Sequence, residues 1–160
     1  MYRNEEYLFD LAEQEGREIM EIEVLSGHCL AYEFTQDKYC PVDGFITGWS
    51  HTAVFELKYR SGYTSTQIDD MGGHIFEWKK FTGLTSYDTY EVPLYIVIYP
   101  DYIMMWDIST ITEDRFQLER NKYRKATVVE SEIIPKRVAY LKREECCKVI
   151  KRIPRNEQDS

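Results

Sequence analysis

No apolar run in this 160-residue chain approaches the roughly 20 residues that a helical bilayer span needs, so a helical membrane protein is excluded. The opening residues, Met1 to Glu6, lack the basic-then-apolar pattern of a secretory leader. Four cysteines (Cys29, Cys40, Cys146 and Cys147) form no C-x-x-C pair, and the adjacent two cannot easily bridge each other. The expected setting is therefore a reducing, cytoplasmic one, without a disulfide framework. His28, His51 and His74 lack ligand spacing and read as surface or partly packed residues, not zinc ligands. There is no repeat, low-complexity tract or internal linker. Residues 1–153 thus read as a single domain, and only the tail 154–160 reads as disordered.

Basic charge is also scarce overall. The chain holds 20 Lys+Arg against 28 Asp+Glu, a net charge of −8, which excludes a uniformly basic DNA-coating protein. The total hides a division, however. Residues 1–114 carry 7 basic and 21 acidic side chains, whereas residues 115–160 carry 13 and 7. The basic segment (Arg120, Lys122, Arg124, Lys125, Lys136, Arg137, Lys142, Arg143, Lys148, Lys151, Arg152) is able to track phosphates, or is simply a solvated face.

Local patterns imply one α/β domain. Asn4 to Arg17 predicts a helix, with Asn4 as N-cap, Glu5 and Glu6 in its first turn and Gly16 as its stop. Cys29–Thr35, Val42–Thr47 and His51–Tyr59 predict three short strands in an antiparallel meander. Ser65 to Gly83 predicts a helix, kinked or delayed by Gly72 and Gly73. Val92–Tyr99 is nearly continuously apolar, as in a central strand buried on both faces, and Tyr102–Ile108 is its hairpin partner. A short helix is expected around Thr112–Arg120 and a late strand at Arg137–Leu141. Glu144–Ile150 fits either element.

The chemistry concentrates in Pro41-Val-Asp43 and in Glu56-Leu-Lys58, with twelve residues between Asp43 and Glu56. Strand alternation puts Val54, Glu56 and Lys58 on one face, so two ionisable groups of opposite sign emerge side by side from an apolar strand. Asp43 reaches the same spot if the two strands pair. Two such carboxylates suit Mg²⁺, which prefers one or two carboxylates plus water and substrate phosphate. A lysine beside them is placed to orient or deprotonate water, or to offset developing charge. Taken singly, Asp43 before Gly44 reads as a turn aspartate, and Glu56 with Lys58 as a solvated charge pair. Taken together they read as a site. A second Glu-x-Lys at Glu77-Trp-Lys79 lies on the expected helix, where residues two apart point about 200° from each other and cannot share one metal.

These residues resemble the PD-(D/E)XK nuclease superfamily, whose signature is an Asp opening one strand and a Glu-x-Lys or Asp-x-Lys on the next. The resemblance covers roughly Asn4 to Tyr99 and is nearest to small Holliday-junction-resolvase-like and phage-type members. It implies a restriction-endonuclease-like α-β-β-β-α-β core with a central mixed sheet flanked by helices, here with a basic C-terminal extension. It also implies Mg²⁺-dependent DNA endonuclease activity, with Mn²⁺ able to substitute, in a prokaryotic or phage-infected host cytoplasm; many such enzymes act as homodimers. The implied metal ligands are Asp43, Glu56 and the Leu57 backbone carbonyl, with Lys58 catalytic. The helix after the motif strand contributes Lys80, or Glu77 on the same face. The first helix contributes an acid: Glu6, with Glu13 and Asp10 as rivals. Tyr59, Arg60, Lys79, Lys136 and Arg137 are the expected nucleic-acid contacts. The competing expectations are a non-catalytic nucleic-acid-binding or assembly protein keeping the fold, and an acidic interaction module binding a basic protein.

Overall fold

The computed structural model describes residues 2–37, 39–87, 91–124 and 132–153; its side chains are described from Asp10 onward, except those of residues 121 and 124. The expected tail 154–160, Lys125 and the side chains of Glu6 and Arg124 lie outside the described residues.

The first helix, α1 (Tyr2–Met20), runs into a π-helical turn at Glu21–Leu25. It does not stop at Gly16. That glycine serves packing instead: a Cβ there would lie 2.9 Å from Tyr59 Cβ, so its bare backbone lets the helix settle close to the sheet. The chain turns at Gly27, whose φ of 76° suits glycine.

Strands β1 (Ala31–Phe34), β2 (Gly44–Thr47) and β3 (Thr52–Tyr59) form the expected antiparallel meander. The next segment departs from the single helix expected over Ser65–Gly83. It contains α2 (Ser65–Asp70), a strand β4 (His74–Glu77) and α3 (Trp78–Thr85). Gly72 and Gly73, at φ 112° and 127°, end α2. His74-Ile-Phe-Glu then alternates, burying His74 and Phe76, so the hydrophobic period has switched to two. His74 is consequently a core residue: its Nδ1 lies 2.6 Å from the Tyr99 hydroxyl and its Nε2 2.7 Å from Asp69 Oδ1.

The crossover returns to β5 (Val92–Ile98), parallel to β3, followed by β6 (Tyr102–Asp107). In place of the helix expected at Thr112–Arg120, a 3₁₀ turn at Glu113–Arg115 leads into β7 (Gln117–Arg124). Pairing with β8 (Ile133–Leu141) overrides local preference there. The ambiguous segment Glu144–Ile150 resolves into a 3₁₀ turn at Arg143–Glu145 and β9 (Lys148–Lys151). The main sheet has the order β1-β2-β3-β5-β6-β9, and β4-β8-β7 form a second, smaller one. The protein is thus mixed α/β with a central mixed sheet.

Strand alternation divides the core into two layers. Phe55, Ile96, Ile98, Ile103 and Met105 face Ile19, Met20 and Leu25 at the end of α1 and in its π-helical extension. Val54, Val97, Met104 and Trp106 face α3 and the small sheet, through Phe81, Leu84, Phe76 and Leu141. This double covering explains why β5 reads as continuously apolar. Among the described residues no helix is long and apolar enough to cross a membrane.

Gly16→Ala tests the close approach of α1. Alanine would add about 1 kcal/mol of helix propensity, but overpacking against Tyr59 costs about 1–3 kcal/mol. The expected outcome is a lower urea midpoint; a higher one would contradict the packing described.

Candidate active site

The site forms where β2 stops pairing with β3. Register runs from Thr47 opposite Thr52 to Gly44 opposite Phe55, and the Asp43 N–H still donates to the Phe55 carbonyl at 2.9 Å. Beyond this point the Leu57 backbone has no β2 rung to meet. The Asp43 side chain fills the place: its Oδ2 accepts the Leu57 N–H at 2.7 Å. Because N–H and C=O of one strand residue point the same way, the Leu57 carbonyl faces the same gap.

Three features fix Asp43 there. The Thr35 N–H donates to the Asp43 carbonyl at 2.8 Å, and the Thr35 hydroxyl donates to the Val42 carbonyl at 2.8 Å. Gly44 has no space for a side chain, since a Cβ would lie 2.4 Å from the Glu33 carbonyl oxygen and from the Phe55 ring. Gly83 on α3 lies against Pro41, where a Cβ would be 2.8 Å from the Pro41 carbonyl oxygen. This last contact brings α3 onto the chain just before Asp43, and with it Lys80.

Glu56 and Lys58 project toward α3, on the face of β3 that also carries Val54. Glu56 is 3% exposed, and its Oε1 pairs with Lys80 Nζ at 2.8 Å. Burial, followed by the nearby Asp43 charge, pushes the Glu56 carboxyl from 4.5 up to about 7, against the pull of Lys80 and Lys58. Burial also works against charge on Lys80, but the Glu56 carboxylate and then Asp43 outweigh it and hold the ammonium above its usual value. Lys58 moves the other way: burial and then the Lys80 charge lower its pKa, with Glu56 and Glu77 opposing. No hydrogen bond or ion pair joins the Lys58 ammonium to the described residues.

On the α1 side of the gap lies a cavity of about 20 Å³ lined by Glu13, Gly16, Arg17, Asp43, Leu57 and Tyr59. It has room for one water or a small ion. Glu13 is the first-helix acid that lines this cavity with Asp43, with its Oε1 3.6 Å from the Arg17 guanidinium.

The other expected residues are placed as follows. Glu77 ends β4 and forms the N-cap of α3, so it does not share a helix face with Lys80; it pairs with Lys136 at 3.2 Å. The Tyr59 hydroxyl donates to Glu15 at 3.2 Å, and Tyr59 packs with the α1-side core. Arg60 is half-buried. Burial disfavours its charge, but Tyr95 and Tyr99 raise its pKa overall. Lys79 and Arg137 are exposed, and the Arg137 guanidinium lies 3.9 Å from the Trp78 ring centroid. Sequence reasoning missed the Asp43–Leu57 bond and the stacking of Arg137 on Trp78. Gly16 and Gly83 were its available signals for close helix approach.

The donor set is one of hard oxygens: a carboxylate from Asp43, a carboxylate from Glu56 and the Leu57 carbonyl. Asp43 Oδ1 and Glu56 Oε2 lie outside the Leu57 and Lys80 contacts just described. The Asp43 charge raises the Glu56 pKa, and hard carboxylate oxygens of this kind suit a Mg²⁺ ion. Comparison of the chain with family models, curated proteins and solved structures finds no match.

The raised Glu56 pKa has a stability consequence. The folded state holds this proton more tightly than the unfolded chain, so its contribution is full below about pH 4.5 and is lost as pH rises through about 7. The loss is about 3 kcal/mol. In urea titrations with EDTA, wild type is expected to lose stability relative to Glu56→Gln between these limits; parallel profiles would contradict this.

Proposed function

We propose that the protein is a Mg²⁺-dependent DNA endonuclease with a restriction-endonuclease-like core. The observation that carries this reading is the bond of Asp43 to the Leu57 N–H where β2 leaves β3, with Glu56 and Lys58 on the flanking positions of β3. The order helix, three-strand meander, helix-containing crossover and a fifth strand parallel to the third supports the same reading.

Asp43, Glu56 and the Leu57 carbonyl would hold the ion, with Glu13 placed to bind a water in the cavity. When bound, the ion supplies neutralisation of charge developing on the phosphate and a more acidic water. Lys58 orients that water and offsets developing negative charge, and its depressed pKa brings it nearer to accepting a proton. Lys80 holds Glu56 in place and favours its ionised form. The surrounding burial keeps these charges poorly screened, which strengthens each of them on the phosphate.

A second reading is favoured by the internal pairing of the site. Glu56 is already matched by Lys80 and Asp43 by the Leu57 N–H, as expected for a nucleic-acid-binding protein that keeps the fold without cleaving. That reading expects binding without metal-dependent cleavage and indifference to Glu56→Gln.

Incubation with plasmid, linear, flapped and four-way-junction DNA separates the two. Cleavage is expected with Mg²⁺ or Mn²⁺ and none in EDTA, with Lys58→Ala slower by about 100-fold or more at unchanged melting temperature. Failure to cut any of these substrates with either metal, or equal cutting by Lys58→Ala, would contradict the nuclease reading.

A further inference from the structure

We infer that the face beside the site, where β8 meets α3, is a stacking platform for an unpaired DNA base, so that the substrate carries a single-stranded segment at the cut. The inference rests on the nuclease reading and deepens it by naming the substrate class.

The platform is built in layers. Phe81 stacks on Trp78 with ring centroids 5.2 Å apart and planes 26° from parallel. Phe116 meets the same indole edge-on, also at 5.2 Å. The indole is thereby held from two sides. Across it lies the Arg137 guanidinium, 3.9 Å from the ring centroid. Arg137 is exposed, and no carboxylate among the described residues pairs with it. A guanidinium held over an indole keeps its charge, and as an exposed residue Arg137 stays open to solvent. Arginine planes and aromatic rings are surfaces on which unstacked bases settle, and duplex bases cannot reach them because they are already stacked on each other.

The connection to the site is short. Trp78 opens α3 and Lys80, two residues later and on the opposite side of that turn, grips Glu56. One helical turn thus joins the platform to the acid pair without placing them on one face. Lys79 between them is exposed, and Lys136, next to Arg137 on β8, pairs with Glu77. A strand reaching from Lys58 to Arg137 would meet cations along its backbone and a planar cation at a base. Regular duplex would use the lysines alone.

Replacing Arg137 by lysine separates a stack from a phosphate contact, because lysine keeps the charge and loses the plane. Binding is read by fluorescence anisotropy in EDTA, using a single strand of about 16 nucleotides and a blunt duplex of the same length. Wild type is expected to prefer the single strand. Arg137→Lys should weaken that binding by about tenfold, while duplex affinity and the salt dependence of both remain unchanged. With 2-aminopurine in the single strand, wild type should quench its fluorescence on binding and the variant should not; the wild-type signal is informative whether or not the variant folds. Equal losses on both probes, no loss on either, or a wild-type preference for duplex without quenching would overturn the platform. Lys58-dependent cleavage of duplex alongside such a result would leave the nuclease reading standing and remove only this inference.

Discussion

Everything at the candidate site depends on one exchange of hydrogen bonds, in which a side chain replaces a strand rung. When β2 ends at Gly44, the Leu57 N–H would be left facing a gap, and an unmet buried donor costs about 1–3 kcal/mol. Asp43 meets it through Oδ2. The same bond that completes the ladder therefore sets an acid group at the end of β3. Strand alternation directs Glu56 and Lys58 toward α3 from the neighbouring positions. The glycines at 44 and 83 let the chain come close enough for this arrangement, because neither position has room for a Cβ.

The electrostatics follow from that placement. Glu56 is buried near a second carboxylate, which disfavours its charge, and Lys80 supplies its direct counter-charge among the described residues. Such pairs contribute little net stability when buried, because desolvation offsets attraction. A buried pair with a perturbed carboxyl is in keeping with the proposed chemistry. Cation placement continues the pattern, with Lys58, Lys80 and Lys136 close to the acids and Arg137 over the Trp78 ring. The charge division seen in the sequence thus has a partial physical account: local acid at the end of β3 and local base on β8 and α3. Most of the remaining acidic excess has no account beyond solubility.

Much of the architecture was legible because the hydrophobic period was clean where both sides of an element are covered or one side is wet. The meander, the buried run of β5 and its hairpin to β6 all belong to this class. The Ser65–Gly83 segment was misread because a four-residue strand is too short to display its period beside two helices, and glycines that end a helix look the same as glycines that kink one. The strand β7 was hidden for another reason: its stabilisation comes from β8, a partner that local pattern does not reveal. At the site, Asp43, Glu56 and Lys58 were visible through spacing and alternation. The Glu56–Lys80 ion pair was anticipated only as a general contribution from α3. The role of Gly16 was read as a helix stop because a packing glycine and a terminating glycine have one sequence signature. Neither the Asp43–Leu57 bond nor the Trp78–Arg137 stack has a local signature at all, since each joins segments distant along the chain.

The central claim is that the oxygens at the end of β3 form a site for one divalent ion. Anomalous diffraction from crystals grown with Mn²⁺ tests it directly. The expected result is a single peak between Asp43 and Glu56, about 2.0–2.3 Å from one oxygen of each and from the Leu57 carbonyl, absent in Asp43→Asn. A fully occupied peak elsewhere, or no peak at saturating Mn²⁺, would contradict the account.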